Sequence, residues 1–254
     1  MRFLMITGTN TGVGKTVVTA AIARRALGLG LDVCVIKPAQ TGVAPSGHAS
    51  AADPPDISAI TRLSGCSQVH QLVTLADPLA PDTAARLRGL SLPTVQALSR
   101  QVIALATDHD VVLIEGAGGV AVRLDTAGGT LMDMASCLVA AGHVVQFVVV
   151  TSLALGTLNH TELTLQALAA ANQAVAGLVL GDVPAELELA EQCNLEELPR
   201  VSGRTVLGAI PHGVGAWEPA RFQAACHSWL NFDPLLRNCS EDGEPDRAPE
   251  PPQL

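Results

Sequence analysis

Apolar residues along this chain gather in short unbroken runs. Phe3-Leu4-Met5-Ile6, Val33-Cys34-Val35-Ile36, Val111-Val112-Leu113-Ile114 and residues 144–150 are the clearest. Strands covered by helices on both faces read this way, because neither face meets water. Residues 176–180 and 205–209 read as two further strands. Between the runs lie segments with helical spacing. These are 17–29, 57–63, 91–107, 131–141, a helix starting at Gly156 or Thr157 and ending near Ala171, 186–198 and 219–230. In the segment 91–107, Val95, Leu98, Val102 and Leu105 form one apolar face. Strands alternating with helices predict an α/β fold, doubly wound, with a largely parallel sheet flanked by helices. Residues 1–237 read as a single domain. Residues 43–55 read as a mobile loop, and 72–81 as a turn-rich stretch near the ligand edge of the sheet. The acidic, proline-rich tail 238–254 has too little apolar surface to order itself.

The first strand runs into Gly8-Thr9-Asn10-Thr11-Gly12-Val13-Gly14-Lys15-Thr16, and a helix follows. Strand, glycine-rich turn, Gly-Lys-Thr and helix form the layout of a phosphate-binding P-loop. The glycines let several N–H groups face one anion, and the helix N-terminus adds its positive end. In such a loop Lys15 reaches the β- and γ-phosphates and Thr16 takes Mg²⁺. Five residues separate Gly8 from Gly14, one more than the usual spacing, so the loop is a variant.

Composition narrows the function. The net charge is −9, from 15 Lys and Arg against 24 Asp and Glu, which opposes a nucleic-acid surface. No apolar run approaches the roughly 18 residues of a membrane span, and no signal peptide precedes the first strand. The six cysteines include no C-x-x-C pair, which gives no sign of a zinc or redox site and suits a reduced, cytoplasmic setting. The chain has only two lysines, Lys15 and Lys37. Lys37 ends the second strand, where open α/β sheets hold their ligands; at that place it is either solvated or functional. Asp56 opens a helix, as a plain N-cap or as a metal ligand. Glu115 ends a strand and is followed by Gly116-Ala117-Gly118-Gly119, either a simple turn or an acidic Mg²⁺ position beside a second anion-binding turn.

The ordered motifs Thr7 to Thr16, Lys37-Pro38-Ala39-Gln40-Thr41-Gly42, Glu115-Gly116-Ala117-Gly118-Gly119 and Leu155-Gly156-Thr157-Leu158-Asn159-His160 together resemble the dethiobiotin synthetases, a branch of the P-loop NTPases, over residues 1–215. Partitioning ATPases, the rival reading of a partner-regulated switch, carry a signature lysine early in the loop; that slot is Asn10 here. An amidotransferase-linked ligase would need a second domain that this chain is too short to hold. The resemblance implies an ATP-dependent ligase that joins CO₂ to 7,8-diaminopelargonate and closes the ring of dethiobiotin. By resemblance, Thr16, Asp56 and Glu115 hold Mg²⁺. Thr11, Gly12, Val13, Gly14, Lys15, Thr16 and Val17 cradle the phosphates, and Gly118 lies beside them. Lys37 and Thr41, helped by amides from Gly116, Ala117, Gly118 and Gly119, meet the carbamate end of the substrate, with Lys15 and Lys37 as the catalytic cations. The family is a homodimer. The helix start at Gly156, Thr157, Leu158 and Asn159 would take the distant carboxylate of a substrate bound across the dimer, and part of that helix would be interface. Gly181, Asp182, Pro211 and His212 fall at the base of the nucleotide, His212 otherwise reading as a loop residue. Many members have Asn in the slot of Gly181 and an acidic residue in the slot of Gly12. A glycine at 181 offers the base no side-chain hydrogen bond, which predicts loose selectivity among nucleoside triphosphates.

Overall fold

The computed structural model describes residues 1–43 and 55–237. The loop expected at 43–55 and the tail at 238–254 therefore lie almost wholly outside the described residues. Seven strands form one sheet: β1 (Arg2–Gly8), β2 (Val33–Gln40), β3 (Val69–Thr74), β4 (Val111–Gly119), β5 (Val144–Thr151), β6 (Val175–Val183) and β7 (Val206–Pro211). Their order is β3-β2-β4-β1-β5-β6-β7, and every pairing between them is parallel. The described helices are α1 (Lys15–Gly28), α2 (Asp56–Ser64), α3 (Pro81–Leu87), α4 (Val95–Ala106), α5 (Leu131–Ala140), α6 (Thr157–Ala170), α7 (Leu189–Ser202), α8 (Pro219–Ala225) and α9 (Asp233–Arg237).

The apolar runs are buried on both sides, as their lack of alternation requires. In β1, Leu4 and Ile6 enter one core with α1 residues such as Val18 and Ile22, while Phe3 and Met5 enter the other with Leu98, Met134 and Leu138. The chain leaves β1 for β2 and β3 at one edge, returns through β4, and crosses β1 to build β5, β6 and β7. Loops after β1 and its neighbours thus depart in opposite directions, and a crevice opens at the strands' C-terminal ends.

Several elements differ from the pattern-based expectation. The stretch 72–81 is not all turn, because β3 supplies its first residues as an edge strand beside β2. The strand β3, Val-His-Gln-Leu-Val-Thr, is half-buried up to Val73 and exposed at Thr74, and it lacks an apolar run. Pro81 does not end that turn but begins α3, where a missing N–H costs nothing. Helix α7 starts later than expected and continues past Pro199 to a left-handed stop at Gly203. The segment 219–230 is helical only to Ala225, then tightens into a 3₁₀ turn at Cys226–Ser228.

Candidate active site

The P-loop folds over the end of β1 with Gly12 and Gly14 in left-handed conformations, φ 78° and 89°, which side chains disfavour. Gly14 is the N-cap of α1. Among the described residues, the backbone N–H groups from Gly12 through Val17 find no protein acceptor, whereas Val18 N–H bonds to the Gly14 carbonyl. Six consecutive unpaired donors around a helix N-terminus make a nest for an anion. Asn10 stands outside it, its side chain accepting from Thr11 N–H at 2.7 Å. The buried Lys15 reaches back across the loop to the Asn10 carbonyl at 3.0 Å. Burial holds its pKa below the ordinary lysine value; Glu115 opposes this and Lys37 adds to it. An arriving phosphate would restore the preference for the charged form.

Lys37 extends from β2 to the neighbouring strand and helix. Its ammonium lies 2.7 Å from Glu115 Oε1 and 2.6 Å from Asp56 Oδ2, and it donates to the Gly116 carbonyl at 3.2 Å. Burial works to lower the Lys37 pKa, and the joint pull of Glu115 and Asp56 outweighs it, so the ammonium titrates above its ordinary range. Thr16 Oγ1 donates within reach of both carboxylates, at 3.1 Å to Asp56 and 3.0 Å to Glu115. Glu115 is fully buried. Its second oxygen accepts from Thr19, which stands one helical turn after Lys15. Asp56 is not an N-cap. Pro55 occupies that position, and Asp56, first in α2, turns its side chain toward Lys37 and Thr16 instead.

This cluster fits Mg²⁺ in chemistry. Thr16, Asp56 and Glu115 bring hard oxygens to one place, beside the phosphate nest, and Mg²⁺ takes few protein ligands and completes its shell with phosphate and water. Among the described residues no group of three or more His, Cys, Asp or Glu gathers at any one place, this site included, where the third oxygen is the Thr16 hydroxyl.

A cleft of about 830 Å³ opens over these residues. It brings together the expected Thr11, Gly12, Gly14, Lys15 and Thr16 with Lys37 and Thr41, and adds Asp56, Glu115, Ala117 and Gly118. Gly116 and Gly119 do not line it. β4 extends through Gly119, but its register with β1 shifts between Ile6 and Gly8 and Gly118 is left-handed at φ 65°, so the expected turn takes the form of a bulge within the strand; Gly116 meets Lys37 through its carbonyl. Val17 also lies outside the lining, half-buried against the loop at Gly215.

A second hollow of about 420 Å³ lies on the other side of the P-loop and holds Val13, Thr157, Gly181 and Asp182. Asp182, at φ 59°, pairs with His212 Nδ1 at 3.0 Å, and His212 N–H bonds to the Val183 carbonyl beside Pro211. Pro211 and His212 line neither cavity. Gly156 caps α6 in a left-handed conformation. Thr157 N–H is taken by the Ala154 carbonyl, while the N–H groups of Leu158 and Asn159 find no acceptor among the described residues. These α6 donors are not in the cleft of Lys37.

Sequence reasoning missed two contributors. Thr19 was legible as a polar residue on the buried face of α1. Gln40, whose side chain accepts from Asp56 N–H at 3.3 Å, left no signal beyond its place after Lys37. The turn-rich stretch expected near the ligand edge does line the cleft, through Ala76, Pro78, Leu79, Ala80 and Pro81.

Comparison with known proteins agrees with this geometry. A family described as an AAA domain matches residues 2–214. The ATP-dependent dethiobiotin synthetase BioD of Rhodococcus jostii is 51% identical over 231 residues, covering 91% of this chain and 95% of the relative. The chain belongs to the dethiobiotin synthetase family. The synthetase of Streptomyces coelicolor is 46% identical over 230 residues, covering 91% and 92%. Among solved structures, septum site-determining protein MinD of Pyrococcus horikoshii, complexed with Mg-ADP, has a TM-score of 0.56 at 15% identity, covering 94% and 96% of the two chains. At that identity the likeness shows only that this chain shares its fold with MinD.

Proposed function

We infer that this chain makes dethiobiotin in biotin biosynthesis, from 7,8-diaminopelargonate, CO₂ and ATP, with release of ADP and phosphate. The observation that carries the reading is that Lys37, paired with Asp56 and Glu115, lines the same cleft as Lys15 at the lip of an anion nest. An ordinary NTP switch needs the nest; a second buried cation facing it from β2 serves a second anion.

In this reading the open N–H groups of residues 12–17 and Lys15 hold the triphosphate. One amine of the substrate adds to CO₂ and loses a proton, giving a carbamate. Lys37 and Thr41 receive that carbamate. Its oxygen attacks the γ-phosphorus, and ADP leaves. The second amine then attacks the carbonyl of the resulting carbamic–phosphoric anhydride, and phosphate departs as the ring closes. Two anions must touch for the middle step, so cations fixed beforehand lower its barrier. Mg²⁺, held by Thr16, Asp56 and Glu115, would supply further positive charge to the phosphoryl oxygens. The apolar wall from Ala76 to Pro81 suits the methylene chain of the substrate.

The same reading makes the enzyme a cytoplasmic homodimer. Leu155 is 87% exposed and Leu163 56%, one just before α6 and one on it, and exposed leucines at this helix suit burial by a second copy. There the unpaired N–H groups of Leu158 and Asn159 would take the carboxylate of the partner's substrate. The described cysteines are all free, which suits a reducing compartment. Among the described residues no helix is long and apolar enough to cross a membrane.

Phosphate release measured with ATP, Mg²⁺, bicarbonate and 7,8-diaminopelargonate, omitting each in turn, tests the reading. Release should fall to background without the diamine; hydrolysis indifferent to it would defeat the assignment. Base selection should be loose, since Gly181 brings no side chain and Asp182 already accepts from Gly213 N–H and lies 3.0 Å from His212 Nδ1. Turnover with CTP and GTP should stay within about a hundredfold of ATP, or about 2.7 kcal/mol of discrimination; a wider gap in side-by-side assays disproves it.

A further inference from the structure

The apolar wall of the cleft is a turn between β3 and α3, and one ion pair braces it. Ala76, Pro78, Leu79 and Ala80 line the cleft, while Asp77, between the first two, does not. Asp77 works from behind. Its carbonyl accepts from Gly42 N–H at 3.1 Å and Leu79 N–H at 2.9 Å. Its carboxylate takes the Arg88 guanidinium through both Nε and Nη2, at 2.5 and 2.9 Å. Arg88 is the C-cap of α3, so the pair ties the turn before that helix to the residue after it. The other side of the turn leans on Gly42, where an added Cβ would lie 3.3 Å from Pro78 Cβ. Gly42 in turn follows Thr41, which lines the same cleft. Leu79, 40% exposed, is a large apolar side chain of this wall.

We propose that the Asp77–Arg88 pair is a positioning device that fixes the apolar wall of the cleft and thereby sets affinity for the hydrocarbon chain of the diamine. It takes no part in nucleotide binding or chemistry. This rests on the synthetase reading for the nature of the occupant. Arg88 is half exposed, its side chain retaining 52% of its accessibility, and such pairs add little to global stability. Its influence is therefore local, through a bidentate geometry that holds the backbone of Asp77 in place.

Arg88→Met and Asp77→Asn separate positioning from folding. Each should raise KM for the diamine about tenfold, the scale of a loosened apolar contact. Turnover at saturation and KM for ATP should stay within about twofold. The charge-exchanged double variant Asp77→Arg/Arg88→Asp should recover most of the affinity. Hydrogen exchange in the segment 75–81 should quicken in both single variants, which can be read without substrate. A native KM for the diamine in both single variants, or an equal rise in KM for ATP, overturns the proposal. If the wild-type enzyme does not use the diamine, the synthetase reading fails separately. Exchange then decides the brace: unchanged protection over 75–81 overturns it, and faster exchange upholds it.

Discussion

Lys37→Ala should lose at least a thousandfold in diamine-dependent turnover while nucleotide affinity changes by no more than a few-fold. The ammonium is buried, 2.6 Å from Asp56 and 2.7 Å from Glu115, and outside the nest of N–H groups that takes the triphosphate. Removing it deletes the fixed positive charge that lets a carbamate approach the γ-phosphate. Loss of one preorganised donor commonly costs a hundred- to a thousandfold, and here the lost donor also carries a full charge. Stability should fall as well, because Glu115 is left buried with only the hydroxyls of Thr16 and Thr19. Breaking a buried pair in this way costs roughly 3–5 kcal/mol. At neutral pH that contribution is fully present: a lysine with a raised pKa stays charged, and its stabilisation fades only as pH climbs through the folded value. Mg²⁺ should return part of the lost stability by neutralising the same carboxylates. Thermal unfolding with and without Mg²⁺, nucleotide titration calorimetry and phosphate release together check the set. Near-native turnover in Lys37→Ala would show that another group faces the carbamate.

Gly181→Ala should weaken nucleotide binding by about thirtyfold, about 2 kcal/mol, although it removes no contact to a ligand. A Cβ at this position would lie 1.9 Å from the Val13 carbonyl oxygen and 3.0 Å from Val150 Cγ1. The obstacle is backbone of the P-loop, which no side-chain rotation can clear. Either β6 retreats or the loop shifts, and overpacking of this kind costs about 1–3 kcal/mol. The shift falls on residues whose unpaired N–H groups form the nest, so the loss should appear as nucleotide affinity. Gly181→Asn, which restores the residue of many family members, should fare worse and gain no preference for adenine, because the crowding comes first. Calorimetric titration of both variants with ATP and CTP checks this. Native affinity in Gly181→Ala would mean that the strand end yields freely.

The strand end at Gly181 also marks the limit of what the sequence reveals. From the pattern alone, Gly181 was a missing hydrogen-bond partner for the base. In the fold it is a space requirement: the end of β6 packs directly on the P-loop. Nothing local announces this, since Gly181 lacks the positive φ that turn glycines such as Gly12 and Gly14 require. Asp56 was similarly ambiguous. A helix-opening aspartate is ordinarily a cap, and only the approach of Lys37 from β2 turns its carboxylate inward. The glycines after Glu115 are a mixed case: β4 extends beside β1 to Gly119, but the pairing bulges between Ile6 and Gly8, and Gly118 takes a left-handed conformation there, φ 65°.

Sequence by itself determined the parallel sheet, since unbroken apolar runs have no stable place except between two helical layers. It also determined the phosphate nest, whose glycines, lysine and threonine are neighbours in the chain and act within one turn. Only the tertiary structure decided the rest of the site. Thr16 meets Asp56 across 40 residues, and Lys37 meets Glu115 across 78. Those contacts depend on β4 inserting between β1 and β2, a strand order that no local spacing encodes. The carboxylates and the second lysine were legible as candidates at strand and helix ends. Their convergence on one hydroxyl beside the P-loop follows from how the sheet is wound.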